Sequence, residues 1–158
     1  MCAPAKRGER SRFGQRGQAL VEFALVLPLL LMVLFIMVDF GVGFARWIAI
    51  TNATREGARL AAVGADPAAI TQKVVDTSNG VLNAGNVQVG YLDPDGDGVA
   101  IGDSVVVEAD YDYPLITPLG KLLSDLTFDS IPFHSCADMR LEQIPGTTPA
   151  ASGTCDSP

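Results

Sequence analysis

The chain has 158 residues, 48% of them hydrophobic and 18% charged, with a mean hydropathy of +0.27 and a formal net charge of −7; that much apolar surface excludes an intrinsically disordered chain. The charge is polarised: residues 1–17 carry five Lys/Arg and one acid, whereas from Trp47 onward fifteen Asp/Glu stand against five Lys/Arg, a local balance near −10 that argues against a nucleic-acid partner. One histidine, three cysteines with no CxxC pair, and no phosphate-binding glycine loop or HExxH motif leave no constellation for catalysis, so a non-enzyme is expected.

In chain order, residues 1–17 form a basic leader, which the positive-inside rule keeps in the cytoplasm. Leu25 to Val38 follows as fourteen uncharged residues in a row, and Leu20 to Val38 comes close to the roughly 20 apolar residues that cross a bilayer. A cleaved secretory signal would need a shorter apolar core and a small-residue cleavage site, and neither is present. A plain anchor leaves Glu22 unexplained, because a carboxylate in an apolar span is disfavoured and by default functional. Pro28 removes one backbone hydrogen bond, and a kink is expected there.

The run Gly17-Gln18-Ala19-Leu20-Val21-Glu22-Phe23 resembles the processing site of type IV pilin-like proteins, where a prepilin peptidase cuts after glycine and leaves the apolar helix in place. Cleavage here would make Gln18 the first residue and Glu22 the fifth, so that the new α-amine and the carboxylate can neutralise each other. The longer pattern is narrower still. It combines Arg16 to Leu25, the helical Leu27-Pro28-Leu29, Asp39-Phe40-Gly41, and Thr51-Asn52-Ala53-Thr54-Arg55-Glu56-Gly57-Ala58-Arg59, and it resembles the TadE-like family, minor pseudopilins of tight-adherence (type IVb) pilus systems. The resemblance covers about a third of the chain. It implies a membrane-anchored subunit that assists pilus assembly, with Gly17, Gln18, Glu22 and Phe23 at the processing site and with prepilin peptidase, other pseudopilins and pilus-assembly proteins as partners. It places the chain in the inner membrane as a single-pass protein, N-terminus in and C-terminal domain out.

The helical pattern continues to about Val63, so residues 18–63 read as one transmembrane and extended helix. Steps of four from Gly41 give Ala45, Ala49, Ala53, Gly57 and Ala61, a ridge of small residues where backbones can approach. That ridge suits packing on the chain's own domain or on neighbouring subunits. Arg55, Glu56 and Arg59 lie within one turn and offer a Glu56–Arg59 pair.

Residues 64–144 read as an extracytoplasmic α+β domain. Gly64 to Pro67 ends the long helix, and Ala68 to Ser78 forms a short second one. Val87 to Leu92 and Ser104 to Tyr113 alternate and flank an Asp/Gly-rich tip, which predicts a β-hairpin. A short amphipathic helix through Leu119, Leu122 and Leu123 comes next, and Thr127 to Phe133 and Asp138 to Ile144 suggest two further strands. The expected fold is therefore α+β, a long N-terminal transmembrane helix extending into a small domain with an antiparallel sheet.

The tip residues Asp93, Asp95 and Asp97 reproduce the first half of a calcium loop, with the Val99 carbonyl and Asp103 as further candidates. The same residues serve as turn formers, and Ser104 stands where a calcium loop carries glutamate. This tip motivates the alternative reading, an uncleaved single-span surface binding module that depends on calcium. His134 and Cys136, two apart on a strand, read as packed or rim residues. Cys136 and Cys155 would pair in an oxidising exterior, closing a loop of about 20 residues, and residues 145–158 read as a flexible tail.

Overall fold

The computed structural model describes residues 13–94, 96, 98–118, 130–146 and 155. The leader up to residue 12, the amphipathic helix expected around Leu119 to Leu123 and most of the tail lie outside the described residues. The elements run α1 (Phe13–Ala62), α2 (Pro67–Thr77), a 3-10 turn (Ala84–Asn86), β1 (Val87–Leu92), β2 (Ser104–Tyr113) and β3 (Ile131–Arg140). The architecture is α+β, a 50-residue helix followed by a three-stranded antiparallel sheet in the order β1-β2-β3.

α1 begins at Phe13, four residues before Gly17, and runs through Pro28 without ending. Proline has no N–H and costs one bond, which the long flanking helix absorbs. The helix stops because Gly64 adopts φ +78°, a left-handed conformation that favours glycine, and its N–H donates to the Ala61 carbonyl at 2.9 Å. The Ala62 carbonyl accepts from the amides of Glu142 and Gln143 at 2.7 and 3.3 Å, so the segment after β3 caps the helix end. α2 then opens on Pro67, with Asp66 at the cap position.

The sheet register aligns Val87, Ala109 and Ser135 in one row, Val89, Val107 and Ala137 in the next, and Tyr91, Val105 and Met139 in a third. These positions face α1 and α2, where Ile50, Ala53, Ala58, Ala61, Ile70 and Val74 complete the core. Burial of that apolar face drives docking of the sheet on the upper half of α1. The Thr54 and Ser135 hydroxyls hydrogen-bond to each other at 2.9 Å inside this core, so neither polar group is buried alone.

β3 differs from the sequence expectation. In place of two strands, Thr127 to Phe133 and Asp138 to Ile144, a single strand spans Ile131–Arg140 and pairs with β2 along its whole length, from Ser104↔Arg140 to Tyr113↔Ile131. The polar centre His134-Ser135-Cys136 does not break it, because Ser135 finds Thr54 on the inner face while His134 and Cys136 point outward. Residues after Arg140 turn back to cap α1.

Tyr91 is fully buried, and burial, aided by the nearby Asp66 carboxylate, raises its phenol pKa above the usual value of about 10. A raised folded-state pKa means the contribution is intact below the unfolded value and is lost as pH rises through the folded one. Tyr91→Phe is therefore expected to stay within about 1 kcal/mol of wild type at neutral pH and to lose less stability above pH 10, a difference that melting curves across alkaline pH will show.

Candidate functional site

The lower half of α1 carries the expected processing motif. Gln18 and Glu22 are exposed, Phe23 is 61% exposed, and a side chain added at Gly17 would meet nothing within 4 Å. Gly17 lies inside the helix, where glycine is destabilising by about 1 kcal/mol relative to alanine. The most apolar stretch of α1 has mean hydropathy 2.8 and none of it is buried by the rest of the chain. By length and composition α1 suffices to cross a membrane.

In the upper half, the structure divides the small-residue ridge. Ala53, Gly57 and Ala61 are buried against the sheet and α2, Ala49 is half-buried, and Gly41 and Ala45 are exposed. The reason is geometric. At about 100° per residue, each step of four advances about 40°, so five steps carry the ridge roughly 200° around the helix. The buried face instead follows Asp39, Gly43, Ile50, Ala53, Thr54, Gly57, Ala58 and Ala61. Within the Arg55-Glu56-Gly57-Ala58-Arg59 motif, the two small residues pack inward. Glu56 pairs with Arg59 at 3.8 Å and with Lys73 of α2 at 3.7 Å, exposed contacts worth little in stability but oriented across the helix pair.

Asp39 is the residue whose role the sequence did not reveal. It is 8% exposed, and its Oδ1 accepts the backbone amides of Ile116 and Thr117 at 3.0 and 3.1 Å while Oδ2 accepts the Thr117 hydroxyl. Its own backbone carbonyl accepts the Tyr113 hydroxyl at 3.3 Å. One carboxylate thus fastens the segment after β2 to α1 where the apolar run ends. One turn further on, Gly43 lets the Tyr113 and Phe133 rings lie against the helix, the two rings stacked at 5.7 Å. Arg46 donates to the Tyr111 hydroxyl at 2.9 Å and lies over the Tyr111 and Tyr113 rings at 5.9 and 6.0 Å. An apolar groove of about 480 Å³ opens beside this clamp.

At the hairpin tip, Asp93 accepts the amides of Gly96 and Gly98 at 2.7 and 2.9 Å, and Asp103 accepts the amide of Ala100 at 2.7 Å. These are turn-closing bonds. Val99 is half-buried against the core, Asp95 and Asp97 lie outside the described residues, and among the described residues no cluster of three or more His, Cys, Asp or Glu could hold a metal.

On the outer face of the sheet, Cys136 and Cys155 form a disulfide with Cα atoms 5.7 Å apart, which ties residue 155 to β3. His134 pairs with Asp110 at 2.7 Å on the neighbouring strand.

No curated protein and no solved structure matches the chain. The helix just described, from the Gly17 turn through the Asp39 clamp to the Gly57 contact, is also the stretch that carries a family likeness: residues 17–59 match the family model of the TadE-like proteins, and this segment is similar to that family.

Proposed function

We propose that this chain is a pseudopilin-like, membrane-anchored subunit that assists assembly of a tight-adherence pilus. The observation that carries the reading is the construction of α1. One unbroken helix bears Gly17 and Glu22 at five-residue spacing, a bare apolar stretch, and then the main wall of the domain core, and the TadE-like match ends at residue 59, within that wall. Such a helix transmits any displacement of its membrane half to the folded domain, because no loop intervenes.

The basic leader lies in the cytoplasm, the span crosses the inner membrane once, and the acidic domain with its disulfide lies in the oxidising exterior. Prepilin peptidase cleaves after Gly17, and other pseudopilins and pilus-assembly proteins are the partners. Glu22 contributes an exposed carboxylate near the cytoplasmic end of the span, available to an α-amine of this chain or of a neighbour. Nothing in this role asks the domain for catalysis.

Glu22 gives the test. Glu22→Ala removes a charge from lipid, so membrane insertion is expected to remain equal or improve, while surface pili decline at least tenfold in a strain that depends on this chain. Unchanged piliation would contradict the assembly role of Glu22.

A further inference from the structure

Read from sequence, the apolar run ends at Asp39, and water would begin there. The structure removes that boundary, because the Asp39 carboxylate is 8% exposed and its oxygens are turned to Ile116 and Thr117. From Phe23 to Ala45 the surface of α1 then presents no exposed charge. Those 23 residues span about 34 Å at 1.5 Å each, against a hydrocarbon core of about 30 Å. Glu22 and Arg46 bracket them about 36 Å apart, the spacing of the two interfacial zones of one bilayer.

The side chains in the disputed stretch fit that depth. Phe40, Phe44 and Trp47 are 73%, 50% and 42% exposed and follow one another along the helix, Phe40 stacked on Phe44 with ring centroids 6.1 Å apart and Phe44 tilted against Trp47 at 5.7 Å. Trp47, with Arg46 beside it, is a residue that membrane interfaces favour, and the purely apolar Phe40 and Phe44 lie on its span side. The groove runs along the same stretch. Ile36, inside the apolar run, forms its lower end; Phe40, Phe44 and Trp47 form one wall, and Ile131 and Phe133 form the other. It is continuous with the bare surface of the span, so whatever solvates the span reaches into it. With water beginning at Val38, this contiguous apolar surface would be wet, which soluble surfaces avoid.

We infer that the outer edge of the bilayer lies at Arg46 and Trp47 rather than at Val38, and that an acyl chain of an outer-leaflet phospholipid occupies the groove between α1 and β3. The inference rests on the membrane-anchor reading above. Continuity selects lipid: the groove starts at Ile36, inside the bare apolar run, and apart from Asp39 its lining is apolar and aromatic, so the acyl chains that solvate the span can enter it without any partner protein. The domain therefore rests in the outer leaflet with its base partly sunk, and Asp39 is the device that takes the charge out of the way.

Trp47 is the chain's single tryptophan and lines the groove, so it reports directly. The full chain would be reconstituted in phosphatidylcholine vesicles whose acyl chains are brominated near the glycerol end, and Trp47 emission compared with that in unbrominated vesicles. At least twofold quenching is expected. Ile131→Glu, on the opposite wall and on another element, should at least halve that quenching while the protein still floats with the vesicles, and the milder Ile131→Asn should shift it in the same direction. Full quenching in both variants would place lipid only on the outer side of α1 and overturn the groove assignment. Quenching that disappears as the protein-to-lipid ratio rises would give the groove to a second span and also overturn it. An unquenched Trp47 in floating protein defeats the lipid assignment alone, whereas protein that fails to float defeats the anchor as well.

Discussion

Gly57→Val is expected to destabilise the domain by roughly 3 kcal/mol, the upper range for forcing methyl groups into a filled core. A Cβ at position 57 would collide with Val74 Cγ2 of α2 and would lie 3.4 Å from Val107 Cγ1 of β2 and 3.7 Å from Ile70 Cγ2. All three neighbours are fully buried, so none can swing into solvent. Gly57 is thus the point where α1, α2 and the sheet meet without a side chain between them. Gly57→Ala should already cost about 1–2 kcal/mol. Gly41→Ala is the control, since a Cβ there meets nothing within 4 Å and Gly41 is exposed in mid-helix; it should be neutral or stabilising by up to about 1 kcal/mol. The same chemical change should therefore cost stability at Gly57 and cost none at Gly41, although both lie on one ridge in the sequence. Amide exchange of β2 under native conditions, which reads the domain apart from the span, will measure both.

Asp39→Ala should detach the segment after β2, at a cost of about 2–3 kcal/mol, because hydrogen bonds to a charged acceptor are the strong ones and their buried donors would be left unpaired. The amides of Ile116 and Thr117 lose their acceptor directly, so their exchange should accelerate at least tenfold. The hairpin amides of β1 and β2, held by their own ladder, should change less. Asp39→Asn keeps one oxygen for those amides and should fall between wild type and alanine. If the Ile116 and Thr117 amides exchange no faster in Asp39→Ala, the carboxylate does not hold this segment.

The hairpin of β1 and β2 was legible because its two strands alternate and an Asp/Gly tip separates them, so a local pattern sufficed. The long helix was legible for the same reason, since apolar and then small residues run from Leu20 to Ala62 with no proline after Pro28. β3 reads locally as two strands because His134-Ser135-Cys136 interrupts the apolar pattern, and the partner of the inward Ser135, Thr54, lies 81 residues earlier. The small-residue ridge looks straight in the sequence, but a step of four drifts around an α-helix, and only its upper half reaches the sheet. Asp39 was visible as part of a motif but not as a clamp. Its partners lie 77 and 78 residues away, and no local spacing encodes that distance.

If Gly17 ends the leader of a processed, pseudopilin-like subunit, the mass of the N-terminal peptide of the chain isolated from membranes of cells that contain a prepilin peptidase will show it. Gln18 should be the first residue in the wild type, and Gly17→Leu should retain the leader. A wild-type chain that still begins at Met1 in the presence of active peptidase would contradict the account.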